Sequence, residues 1–488
     1  MTKTIIREVF ALSLIASLFF SLFLHPIDGD GDFFQHVNIG RFVFQNKTLP
    51  HYDDLTFTAS GREYVGYAWL SGVIFYALYA RLGPIAINIL VLGTALFTLA
   101  LLFWYLCLLL KARISSVNSI NLVSFLTLCL VVPVVATRWP SRPEIFQYPL
   151  LLGLLIVDQF SRRKTKLIFL FPVLILLWAN LYGASVILGL GVVLLMSLRH
   201  LRSLRYLSVL LLCLGAALVN GYGLKSVFFI LNIPKMTDIW GDWAGIIKII
   251  SGPNFYGFPR YILDLYFFYL IIFASLAVKS RLNFKKYPLF ALLALSLVVP
   301  FGAVRHRTLA VLLSAPMLAF FLDNLMMSTK IISGLYLFSL VLLGYCLYQS
   351  PPGMGIDQVT FSPKVIKFIK QTGLSGNVFN TQRVGSFLEY ELSPQIKTFA
   401  DTRDELFIGT GVLEEIGPFL SSGVSLGFIL RKYKIDVVIL GSFDGDSYRD
   451  LLHDPRWSAV YFDQHYLIFV PQKTALVKGL KVVTINQR

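Results

Sequence analysis

Between Val9 and Gln349 the chain breaks repeatedly into apolar runs, at 9–24, 66–82, 84–110, 117–137, 144–160, 167–179, 183–198, 204–219, 261–278, 287–303, 308–327 and 331–349. In hydrocarbon every backbone N–H and C=O needs a partner within its own segment, so runs of about 20 apolar residues fold as crossing helices. The pattern predicts an α-helical polytopic membrane protein with about 11–13 transmembrane helices. Composition agrees: 56% of residues are hydrophobic and 14% charged. A water-soluble globule could not cover so much apolar surface. The formal net charge of +16 would suggest nucleic acid in a soluble protein. Here no basic stripe or RNA-binding motif accompanies it, and no nucleic-acid partner is expected.

Lys and Arg instead gather in short loops, at 161–166, 199–205 and 279–286, which read as cytoplasmic by the positive-inside rule. Lys3 and Arg7 precede the first run, and no small-residue cleavage site precedes His25, so 9–24 reads as an uncleaved helix with a cytoplasmic N-terminus. Two long polar excursions, 25–65 and 220–260, then fall on the outer face, and the last helix delivers the C-terminus there. Counting 66–82 as a pass places 111–117 outside as well, although Lys111 and Arg113 would prefer the inside.

At "QSPPGMG" (349–355) the composition changes. Beyond it, the β-rich runs 377–380, 397–400, 436–441, 458–462 and 466–470 alternate with helical patterns such as "PKVIKFIKQTG" and "GFILRKYK". This predicts two domains: a membrane domain over 1–350 and a small extracytoplasmic α/β domain over 351–488. The latter carries no GxGxxG or P-loop, so nothing favours nucleotide binding. Cys107, Cys129, Cys213 and Cys346 all lie in apolar runs, with no CxxC pair and no expected disulfide.

The acids cluster directly after the first apolar run, as a solvated linker or the working end of an enzyme would place them. Asp28, Asp30 and Asp32 alternate through "DGDGD", and the carboxylates of Asp30 and Asp32 have the DxD spacing that can hold a divalent cation such as Mg²⁺ or Mn²⁺. If a helix starts at Asp32, His36 stands four residues on and shares its face. Asp53 and Asp54 follow a Pro turn. By residue type alone, aspartates in a Gly-rich outer loop do no more than solvate it, and the EF-hand spacing is missing.

The loop as a whole says more. Asp32, His36, Gly40, Pro50, Asp53, Thr56, Thr58, Gly61 and the Trp69–Leu70 pair fall in the order of the first outer loop and following helix of bacterial membrane glycosyltransferases of the C superfamily (GT-C). "TRWPSRPEIF" (137–146), "LLWANLYG", "LVNGYG", "DIWGDW", "KTFADTRDELF" and "WSAVYFDQHYLIFV" extend the similarity over nearly the whole chain. The resemblance, to polyprenyl-phosphate-sugar-dependent enzymes such as protein mannosyltransferases and aminoarabinose transferases, implies a GT-C fold. It also implies sugar transfer from a polyprenyl phosphate or diphosphate carrier at the outer face of the bacterial cytoplasmic membrane. An acidic residue in the first outer loop serves as base, which carries over to Asp32, with Asp30 as rival and with His36 and Asp53 assisting. Departures fall at Phe34 and Gln35, where the family is Trp-rich, at Tyr182, where it has His, and at Gly221, where it has Pro.

A leaving phosphate needs cations, and guanidinium forks match its oxygens. Arg138, Arg142, Arg305 and His306 are the candidates for the donor phosphate, against the ordinary reading of helix-end arginines that snorkel to headgroups. Asp238, Asp242 and Trp243 are candidates for the acceptor side, whether the acceptor is a glycan, a lipid or a protein. Asp401, Arg403 and Asp404 read as a turn network of the soluble domain. Two alternatives belong to other classes. One is a non-catalytic scaffold of the same fold that recruits a membrane complex through the C-terminal domain; the other is a transporter, disfavoured because the acids collect in outer loops rather than in mid-helix.

Overall fold

A computed structural model of the chain describes residues 20–29, 31–200, 203–226, 229, 246, 249, 260–281, 288–325, 329–415, 426–444 and 448–483. In chain order, the helices of eight residues or more among them are α1 (Asp32–Asn46), α2 (Trp69–Leu82), α3 (Pro84–Leu110), α4 (Val117–Ala136), α5 (Gln147–Ser161), α6 (Leu170–Leu181), α7 (Val186–Ser197), α8 (Leu204–Leu218), α9 (Arg260–Ser280), α10 (Arg307–Asn324), α11 (Thr329–Gln349), α12 (Pro363–Thr372) and α13 (Gln382–Leu392). The chain forms two units: Met1–Pro26 with Ile85–Met354, and Ile27–Pro84 with Gly355–Arg488. The crossing near 354 falls close to the expected boundary, but the expected division at 350 is incomplete, because the first polar loop and α2 belong with the C-terminal domain.

In the first unit, four helices among the described residues are long and apolar enough to cross a membrane: Pro84–Leu110, Val117–Ala136, Arg260–Ser280 and Val304–Asn324. Shorter apolar helices accompany them. Within these spans 78% of Val117–Ala136 and 83% of Val304–Asn324 is buried, against 44% and 33% of the other two, so α4 and α10 form the unit's centre. The fully buried Arg307 ties their ends, donating to the Thr137 carbonyl (2.6 Å) and hydroxyl (2.8 Å). At the opposite end Arg113 pairs with Asp323 at 2.7 Å, and the Asn324 amide donates to the Ser280 carbonyl. Arg113 therefore lies at the same end of the unit as Ser280 and Asn324, which corrects the placement of 111–117 on the face opposite to Ser280. Helix α2, within the expected pass at 66–82, has 14 residues, about 21 Å of helix, and it belongs to the second unit. The expected N-terminal helix at 9–24 lies almost wholly outside the described residues.

In the second unit, strands β1 (Gly376–Phe379), β2 (Ile396–Thr398), β3 (Val437–Gly441), β4 (Trp457–Phe462) and β5 (Tyr466–Pro471) form one sheet in the order β2-β1-β3-β5-β4. The first three are parallel, with α13 as the β1–β2 crossover, and β4–β5 is an antiparallel hairpin. Every residue of β3, "VVILG", is buried, as expected for a strand covered on both faces. The polar loop protects the β2 edge: Phe57 N–H donates to the Thr398 carbonyl (3.1 Å), and Thr398 N–H donates to Leu55 (3.2 Å). Ile39, Ala59 and Tyr64 enter the same core as Phe379, Phe399, Val438 and Phe469. Helices α1 and α2 cross where Gly40 meets Gly72, and a methyl group on Gly40 would stand 2.0 Å from the Gly72 carbonyl oxygen.

Candidate active site

Each unit, among the described residues, holds a polar cluster of its own. In the first, Trp139 fixes the segment after α4: its ring stacks on Tyr148 at 4.6 Å and its indole N–H donates to Val91 at 3.1 Å. Arg138, directly before it, meets the buried carboxylate of Glu144, with Nε 2.7 Å from Oε1 and Nη2 3.2 Å from Oε2. From 161 residues away Arg305 brings Nη2 to 3.4 Å from the same Oε2 and 3.3 Å from the Tyr182 hydroxyl. Arg142 adds a third cationic field on Glu144, and His306 lies within the fields of Arg305, Glu144 and Arg138. The four residues expected to bind phosphate are thus brought together. Glu144 and Tyr182 are the members that sequence reasoning did not assign, although both stand inside quoted motifs.

In the second unit, Asp32 opens α1, half-buried, after Gly31 in the left-handed region. Its charge acts on Asp404 and Glu405. His36 is buried on α1, edge-on to Tyr67. Asp53 is held on both oxygens. Oδ2 accepts from the Thr56 hydroxyl (2.6 Å) and N–H (3.1 Å), and Oδ1 lies 2.7 Å from Arg403 Nη2. Arg403 also binds Asp401 through Nε (3.0 Å) and Nη2 (2.5 Å), and stands 4.0 Å from Glu389. The expected turn network of Asp401 and Arg403 exists, then, and reaches back to the first loop. Asp30, Asp238, Asp242 and Trp243 lie outside the described residues. Among the described residues no group of three or more His, Cys, Asp or Glu side chains is arranged to hold a metal ion.

Burial and neighbouring acids govern protonation here. Burial pushes the Glu389 carboxyl well above the usual range, and Asp401 adds to it. Burial, Glu405 and Asp32 do the same to Asp404. Glu405 rises to about 7, and Asp444, buried with the Gly441 N–H on its Oδ2, rises to about 6, both through burial first. These acids keep their protons in the folded chain and release them on unfolding, so the native state binds more protons and stability falls as pH rises. With ordinary values of 4.5 and 3.8, the loss runs from about pH 4 to about pH 7. The expected result is a higher unfolding midpoint at pH 5 than at pH 7.5 in thermal scans, with a flatter dependence in Asp444→Asn. An identical slope in that variant would remove Asp444 from the account.

No family model and no curated protein matches the chain. Solved structures do. The arabinofuranosyltransferase AftD from mycobacteria aligns at a TM-score of 0.55 and 15% identity, over 95% of this chain and 41% of that one. ArnT from Cupriavidus metallidurans, solved with undecaprenyl phosphate bound, aligns at 0.55 and 12%, over 95% and 97%. The archaeal oligosaccharyltransferase AglB from Archaeoglobus fulgidus, in complex with an inhibitory peptide and a dolichol-phosphate, aligns at 0.51 and 11%, over 96% and 75%. The fold is that of the GT-C glycosyltransferases. This chain spans less than half of the length of AftD but nearly all of ArnT. A GT-C fold accounts for both the apolar helices of the first unit and the small α/β sheet of the second.

Proposed function

We propose that this protein is an integral-membrane glycosyltransferase that moves a sugar from a polyprenyl phosphate or diphosphate carrier to an acceptor at the extracytoplasmic face of a bacterial cytoplasmic membrane. The observation that carries this reading is the convergence of Arg138, Arg142 and Arg305 about Glu144. Three guanidiniums gathered about one carboxylate within a membrane unit suit a ligand that brings its own negative charge on an apolar tail. Two fold relatives were solved with such phospholipids bound.

In the reaction an acceptor hydroxyl oxygen forms a bond to the anomeric carbon while the bond from that carbon to the phosphate oxygen breaks. The electron pair leaves on the phosphate, which the arginines stabilise, and the hydroxyl proton passes to the carboxylate of Asp32. Asp30 is the rival base, and Asp238, Asp242 and Trp243 serve the acceptor side. Anchoring donor and acceptor to one surface supplies much of the acceleration by proximity.

Binding of undecaprenyl phosphate to the full chain in nanodiscs, followed by native mass spectrometry, tests the phosphate site. A charge-assisted hydrogen bond is worth about 1.5–3 kcal/mol, so Arg305→Gln should weaken binding by about ten- to a hundredfold while leaving the unfolding midpoint near wild type. Undiminished binding in that variant would move the phosphate elsewhere.

A further inference from the structure

A cavity of about 370 Å³ opens within the second unit, at the lower end of the range for small-molecule sites. One wall is a flank of α1, where Gln35, Asn38, Phe42, Gln45 and Asn46 recur at helical spacing. The other is formed by the 50–55 segment together with Glu389, Pro394 and Arg403. Asp32 is not among the lining side chains. The floor is buried and the mouth is open: Asn38 is 5% exposed and Tyr52 is 64% exposed.

Two features of the floor restrict what fits. The Asn38 amide donates through Nδ2 to the Ser386 carbonyl (2.9 Å) and to Glu389 Oε2 (3.4 Å), yet its Oδ1, also buried, has no hydrogen-bond partner among the described residues. An unmet buried acceptor costs about 1–3 kcal/mol, and this one belongs to a side chain that lines the cavity. Arg41, Asp54, Glu389 and Arg403 are the charged side chains that line the cavity, and Arg403 offers no spare positive charge because Asp53 and Asp401 both already hold it. An anion has nothing to gain there. The exposed Tyr52, the buried Pro50 and the amides of Gln45 and Asn46 line the same cavity. A sugar ring has both halves of this chemistry: hydroxyls that each donate and accept, as amides do, and a C–H face that covers an aromatic ring.

We propose that this cavity is a recognition pocket for a neutral saccharide of one or two rings, separate from the catalytic carboxylate and binding without reaction. This goes beyond the transferase reading and does not depend on turnover. The test is saturation-transfer NMR on the full chain in nanodiscs, with methyl glycosides of glucose, galactose, mannose and arabinose as probes and inorganic phosphate as competitor. At least one glycoside should give a signal that persists in Asp32→Asn, is unaffected by phosphate, and falls by about tenfold in both Tyr52→Ala and Asn38→Ala. Tyr52 is exposed, so its variant reads the pocket without disturbing the fold. The absence of a signal from every glycoside, displacement by phosphate, or a signal unchanged in Tyr52→Ala would each overturn the proposal. Because the Asp32→Asn protein is used for binding, a failed transfer assay and a failed pocket give different results.

Discussion

Arg403→Met should unfold or severely loosen the second unit. The guanidinium lies 5% exposed between Asp53 and Asp401, with Glu389 at 4.0 Å. Arginine's fork serves both aspartates at once, which a lysine ammonium cannot do in the same geometry. Removing it leaves buried carboxylates facing one another without a counter-charge. Breaking a buried pair in this way costs about 3–5 kcal/mol, a large share of the 5–15 kcal/mol that holds a domain together. At about 2–4 °C per kcal/mol the unfolding midpoint should drop by roughly 10 °C, and limited proteolysis should cut the second unit first. The triple variant Asp53→Asn, Asp401→Asn, Arg403→Met should recover part of the loss, because it removes the stranded charge along with the cation. An Arg403→Met protein with the wild-type midpoint would show that the network is decorative.

That network also shows where the sequence ceased to be readable. The strands could be read from short β-branched and aromatic runs: "DVVILG" at 436–441 became Val437–Gly441, and "YLIFV" at 466–470 became Tyr466–Pro471. Burial on both faces leaves a continuous apolar run, and such a run needs only local information. The joining of the first loop to the C-terminal domain needs more. Asp53 and Arg403 are 350 positions apart, and neither has a neighbour that names the other. Helix α2, "WLSGVIFYALYARL", is as apolar as a membrane pass, and hydropathy alone does not show that it belongs with the C-terminal sheet.

The candidate sites divide in the same way. Arg138, Arg142, Arg305 and His306 were selectable by type, since few residues can meet a phosphate. Glu144 was not, because its importance comes from Arg305 approaching across 161 positions. Asn38, midway along an apparently ordinary helix, gained meaning only when Glu389 and Ser386 took its amide hydrogens and left its oxygen unmatched.

Asp32→Asn is expected to cost about 10²–10⁴-fold in kcat, measured with a radiolabelled lipid-linked sugar, because a positioned general base contributes that much. Binding of the lipid phosphate should be unchanged, since Arg138, Arg142 and Arg305, which we propose hold it, belong to the other unit. Asparagine preserves the shape and hydrogen-bonding length of the aspartate, so a loss of rate without a loss of stability assigns the effect to the missing proton acceptor. A companion variant separates a base from a merely negative residue. Glu405, with its acid held up to about 7, feels the charge of Asp32. Its ionisation as pH rises past neutrality puts a second negative charge near the first, which draws the acceptor proton more strongly. The wild-type rate should therefore climb between about pH 6 and pH 8, and Glu405→Gln should flatten that climb while keeping the activity measured at pH 6. Full activity in Asp32→Asn would pass the role to Asp30. An unaltered pH profile in Glu405→Gln would mean that the acids of the second unit do not act together on the reacting hydroxyl.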